Sequence, residues 1–235
     1  MNIASRHDTV TTGAHRPGWR EIFAGAAAYI VGIGVVAVTL PLVQNPAVQG
    51  IVAFFISGAL GLLAFAAAAL IRIRALRPFG FRRTSPGKVL VGAVLGVVAY
   101  LLGILAAIIY VTITGDGENI QGSYQAAAAG GGLSLTLALL TGAVLTPLGE
   151  EAFFRGVLAN ALLQRYRVWI GVVVSAAVFA VAHGINPVLP VAFVVGVLTA
   201  LLFRWSGSIW PGVALHGMNN ASALIVPLVL GVTQA

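Results

Sequence analysis

Cysteine is absent from the 235 residues. Its absence excludes disulfides, thiolate nucleophiles and cysteine-ligated metal sites together. Charge is nearly as scarce: 8% of the residues are charged and only six are acidic. Ordinary soluble domains run near one quarter charged. Apolar residues make up 59% of the chain and its mean hydropathy is +1.00, the composition of an integral membrane protein. A cleavable leader is not apparent. The first 19 residues are polar, carry Pro17 and Gly18, and lack the basic-then-apolar order of a signal peptide, so the first span is expected to be retained.

The chain is basic, with a pI of about 10.8. Its basic residues fall between hydrophobic runs, where they set topology and meet anionic lipid head groups; no nucleic-acid partner is expected. Twelve of the thirteen are arginine. With the abundance of Ala, Gly and Val, this points to a GC-rich bacterial genome and a plasma-membrane location.

About 20 apolar residues cross a bilayer as a helix. Seven runs qualify: Ile22–Leu42, Val48–Ile71, Val89–Thr114, Leu133–Leu163, Trp169–His183, Val188–Phe203 and Ile209–Leu230. The expected fold is therefore an all-α polytopic bundle of about seven spans. The fifth and sixth runs are short and separated by Gly184, Pro187 and Pro190, so a re-entrant pair is the alternative to two full spans. In a seven-span arrangement with the N-terminus inside, all thirteen basic residues fall on one side and the opposite loops hold only Asp116 and Glu118. The positive-inside rule then gives an N-in, C-out protein. No internal repeat is visible. The organisation reads as a cytoplasmic tail (1–20), three N-terminal helices (21–114), a flexible or partly helical Gly/Ala-rich loop (115–132), and a helical core (133–230) with every polar group suited to chemistry.

Those groups form three patterns: Glu150-Glu151-x-x-x-Arg155, Phe179-x-x-x-His183 and His216-x-x-x-Asn220. A four-residue spacing puts both members on one helix face, one turn apart. Glu151 can thus be paired by Arg155, while Glu150 points about 100° away and is free for another role. Each pattern alone has an ordinary reading. A membrane histidine can hydrogen-bond a neighbouring helix, Glu151 and Arg155 can be a plain ion pair, His216 and Asn220 can be interhelical glue, and Phe179 can be packing. Together they place two carboxylates, two imidazoles and a carboxamide on separate helices. Intramembrane ionisable groups are costly and functional by default.

In order, these three motifs resemble the CPBP (CAAX protease and bacteriocin-processing) family of intramembrane proteases, which includes the Rce1-type CAAX prenyl endopeptidases and bacterial relatives linked to bacteriocin self-immunity. The resemblance covers residues 133–230. It implies that Glu150, His183, His216 and Asn220 line one cavity opening towards the cytosol. There Glu150 and His183 would activate a water for attack on a peptide carbonyl, while His216 and Asn220 would stabilise the oxyanion. Glu151, Arg155 and Phe179 would support them. The implied substrate is a membrane-associated or CAAX-like peptide, or a membrane protein.

Glu150, His183 and His216 would also make a zinc shell with water as the fourth ligand. The HExxH signature is absent, and the likeness to Rce1-type enzymes favours a metal-free site. An ion-coupled transporter using Glu150, Glu151 and the histidines as a relay, and a non-enzymatic immunity protein, are the rival readings. Depth sets one further condition. His183 lies about 21 Å along its helix from Trp169, so a meeting with Glu150 near the cytosolic third requires the fifth helix to start earlier, from Arg165, or to tilt strongly; the earlier start is expected.

Overall fold

The computed structural model describes residues 16–231. Arg6 and most of the expected N-terminal tail lie outside the described residues. Within them the chain is helical, with no strand.

Local chemistry sets the helix starts. Helix α1 (Trp19–Thr39) opens with the Gly18 amide donating to Glu21 Oε2 at 2.8 Å, and Arg72 donates to the other oxygen of this buried carboxylate at 3.0 Å. Helix α2 (Pro46–Ile71) is capped by Asn45, whose side chain accepts from the Val48 amide, with Pro46 in the first turn. Helix α3 (Pro86–Thr114) begins at another proline and ends on Gly115, whose φ of 73° satisfies the left-handed C-terminal position. The predicted loop holds a short helix, α4 (Gly122–Ala129), with Ala127 and Ala128 buried.

The fourth predicted span is one long rod, Gly132–Arg165. It is composite: α5 (Gly132–Leu139), a π segment (Leu140–Leu145), α6 (Thr146–Phe153), a second π segment (Phe154–Ala159) and α7 (Asn160–Arg165). Proline explains the first widening. Pro147 has no amide hydrogen and its ring crowds the carbonyl four residues back, which a tighter α turn would not accommodate. After α8 (Val168–Val181) come α9 (Val188–Ser206) and α10 (Trp210–Val229).

Six helical stretches are long and apolar enough to cross a membrane, and they coincide with six of the seven expected spans. The other, α8, has 14 residues, about 21 Å. It starts at Val168, not at Arg165, which ends the preceding helix. The expected early start is therefore wrong. The depths match for another reason: Glu150 lies fifteen residues before Arg165 and His183 fifteen residues after Val168, so both stand about 22 Å from the same turn.

Packing joins the two halves of the chain. α2 lies against α1 and α6, and α3 against α10 and α9. The α2–α6 contact is backbone on backbone. A Cβ at Gly58, Gly61 or Gly149 would collide with the main chain of the opposite helix, the small-residue seam that lets membrane helices approach closely.

The two ends of the bundle differ. At one end, Arg72 donates to the Arg16 carbonyl, Arg165 to that of Pro17 and Arg82 to that of Gly207, while Lys88 sits over the Trp205 ring. Arg20, Arg74, Arg77, Arg83, Arg167 and Arg204 belong to the same helix ends and turns. So do all four tryptophans, Trp19, Trp169, Trp205 and Trp210, each well exposed, as in the aromatic belt at a membrane interface. Arg155 is the exception to the expected sidedness: it is 1% exposed and lies inside the bundle. The opposite end carries Asp116 and Glu118 and no basic residue among those described.

Candidate functional site

The glycine seam aligns Ser57-Gly58 of α2 with Gly149-Glu150 of α6. Ser57 Oγ donates to Glu150 Oε1 at 2.6 Å. That fixes one carboxylate oxygen and leaves Oε2 between two imidazoles, 3.8 Å from His183 Nε2 and 3.9 Å from His216 Nε2. Glu150 is 2% exposed.

His183 sits where α8 ends, just before Gly184, whose φ of 89° turns the chain. Its Nδ1 lies 2.8 Å from the Phe179 carbonyl. A carbonyl only accepts, so Nδ1 carries the hydrogen, and in the neutral ring Nε2 is an acceptor facing Glu150. Asn186 steadies the turn by donating to the His183 carbonyl at 2.8 Å and accepting from the Val188 amide.

Glu151 faces a closed pocket. Arg155 Nε lies 3.2 Å from its Oε2, and the guanidinium also donates to Thr199 Oγ1. The same guanidinium lies over the Phe179 ring at 4.4 Å. Phe179 meets both imidazoles edge-on, at 4.7 Å for His183 and 5.8 Å for His216. His216 bridges the two carboxylates, its Nδ1 standing 3.4 Å from Glu151 Oε1. Six of the seven residues singled out in the sequence thus belong to one constellation.

Asn220 lines the same cavity, and its Nδ2 donates to the Gly142 carbonyl at 2.9 Å. Sequence explains that bond. Gly142 lies in the π segment, where its partner would be the amide five residues on, and that residue is Pro147. The carbonyl freed by proline is satisfied from α10.

Sequence reasoning missed two residues. Ser57 is a single hydroxyl in an apolar run, and nothing local separates it from a serine bonded to its own helix. Asn219, next to Asn220, is buried, lines the cavity and donates to Asn220 Oδ1 at 3.1 Å. The polar cluster is therefore not confined to residues 133–230.

The cavity has a volume of about 390 Å³. Besides the polar cluster, its walls include Tyr100 and Ala107 of α3, Gln121 and Tyr124 of the α4 region, Val191 of α9 and Ala223 of α10. The lining positions on α2 and α9 fall in the half of each helix away from the arginines, and those on α3 run from its midpoint at Tyr100 towards the same end; on α10, His216 and Asn219 lie in the arginine-side half and Asn220, Ala223, Leu224 and Pro227 beyond it. Set beside an arginine-rich cytosolic face, a lining that extends mainly towards the other end runs against the expectation of a cavity opening towards the cytosol. The cause is helix direction: the rod Gly132–Arg165 reaches its arginines fifteen residues after Glu150.

As for metal, no group of three His, Asp or Glu side chains among the described residues is arranged to hold an ion. The 3.8 and 3.9 Å separations around Glu150 exceed the roughly 3.4 Å between two ligands of a tetrahedral zinc.

Residues 132–222 match the family model described as type II CAAX prenyl endopeptidase Rce1-like. That segment runs from the start of α5 into α10 and includes all seven residues predicted from the sequence. A curated protein of Escherichia coli named "Uncharacterized 24.3 kDa protein" is 36% identical over 85 residues, which is 34% of this chain and 39% of that protein. The match thus spans well under half of that relative's length. No solved structure matches.

Proposed function

We propose that this integral membrane protein is an intramembrane endopeptidase that hydrolyses a peptide bond with a water activated by Glu150 and His183. The observation that carries the reading is the convergence of Glu150 Oε2 with two imidazole nitrogens at 3.8 and 3.9 Å in a cavity, within a segment that matches a peptidase family. Those gaps are too long for direct hydrogen bonds and suit a bridging water. Glu150 Oε2 and the neutral His183 Nε2 are both acceptors. A water between them directs both hydrogens inward and its lone pair outward, poised for attack on a carbonyl, with Glu150 as general base.

His216 is assigned to the oxyanion. Two carboxylates and one guanidinium leave the cluster one negative charge in excess, which an imidazolium at His216 would balance. In that form Nδ1 faces the Glu151 carboxylate at 3.4 Å while Nε2 donates to the tetrahedral intermediate, a preorganised interaction worth about 3 kcal/mol in such sites. Asn220 keeps a second amide hydrogen beyond the one given to Gly142 and is assigned beside His216. Glu151, Arg155 and Phe179 act as positioning residues that hold both imidazoles. The substrate is proposed to be a membrane-associated or CAAX-like peptide segment.

The test is cleavage of a peptide library in detergent by wild type and by Glu150→Ala. Products made by the wild type and absent with the variant are expected; equal cleavage by both removes the reading. Activity after treatment with a strong chelator is expected to be unchanged, and loss restored by zinc would replace this mechanism with a metal-dependent one.

A further inference from the structure

We infer that the cavity is entered from the non-cytoplasmic side of the membrane, so that the segment it receives lies on that side or descends from it. Two independent sets of residues point there. Eleven basic residues and all four tryptophans gather at one end of the bundle, tied together by the contacts from Arg72, Arg82, Arg165 and Lys88. Arginine-rich short loops stay on the cytoplasmic side during insertion. Most of the cavity wall beyond the Glu150–His183–His216 cluster comes from the other end. At that end the lining consists of Gln121, Tyr124 and Gln125, the start of α9 at Val188 and the end of α10 at Pro227, which we take as the mouth. No basic residue among those described stands at that end.

The mouth also has a chemistry. Gln121 and Gln125 offer neutral carboxamides, which suit a peptide backbone, and Ile104, Val191 and Leu224 behind them are apolar. An uncharged, apolar peptide in extended form fits these walls; an acidic or basic one would leave its charge unpaired at depth. That this route carries a substrate to be cleaved rests on the endopeptidase reading. The sidedness itself does not.

The natural lack of cysteine makes the test direct. Single cysteines are introduced into the full chain at two cavity positions, Ala107→Cys and Ala223→Cys, and at Ser85→Cys on the arginine-bearing end. A membrane-impermeant maleimide is then applied to sealed vesicles of either orientation. The cavity cysteines are expected to react only from the outer face and Ser85→Cys only from the inner face. Reaction of the cavity cysteines from the inner face, from both faces equally or from neither overturns the inference, as does reaction of Ser85→Cys from the same face as the cavity. Using two cavity positions guards against one variant that fails to fold. Because labelling needs no turnover, failure of this inference and absence of peptide cleavage are separate results.

Discussion

Glu150 and Glu151 are neighbours in sequence and occupy two different environments. Glu151 lies in a closed region, where Arg155 and His216 flank its carboxylate, Thr199 accepts from the guanidinium and Phe179 roofs it. Glu150 lies in an open one, where Ser57 holds one oxygen and the other meets His183 and His216 at the cavity. The 100° between successive residues of a helix is enough to give one carboxylate a structural surrounding and the other a reactive one. The closed region keeps the open region's imidazole in place, since His216 touches both.

The sharpest way to break this contrast is to remove each carboxylate in turn. Glu150→Ala is expected to lower cleavage about 10³-fold or more, within the range for loss of a general base, with little change in thermal stability. Glu151→Ala is expected to act through the fold. It strands a buried guanidinium, a change that destabilises by about 3–5 kcal/mol, and melting in detergent should fall well below that of Glu150→Ala. If the two variants melt alike, the division between the carboxylates is wrong. Enlarging the glycine seam tests how the open region is assembled: Gly149→Val forces α6 off α2, and both cleavage and melting temperature should drop. The smallest effect is expected at the hydroxyl. Ser57→Ala removes one hydrogen bond to a charged group, worth about 1.5–3 kcal/mol, and should cut kcat about tenfold while leaving KM nearly unchanged. A KM effect with kcat unaltered would place Ser57 in substrate contact instead of behind Glu150.

The C-terminal chemistry was legible because its spacing is local. Glu151 with Arg155, and Phe179 with His183, are four residues apart, and a helix alone joins them. The six long spans were legible from hydropathy for the same reason. What escaped is set by contacts between distant parts of the chain. Ser57 lies 93 residues from its partner Glu150. The side on which the cavity opens depends on helix directions and on where the arginines fall along the rod, not on any motif. An early start of α8 was expected because Glu150 was placed near the cytosolic third, whereas it stands fifteen residues from the end of the rod, as deep as His183.

The widened turns on either side of α6 have a consequence for chain length. A π turn is a helix that has absorbed an extra residue without disturbing what lies beyond it. Deleting one residue of that segment beyond Arg155, within 156–159, should therefore be taken up by a return to ordinary winding, with both carboxylates still facing their own partners. The same deletion between Thr146 and Gly149 has no such slack to draw on; it would shift the register by one and turn Glu151 into the place of Glu150.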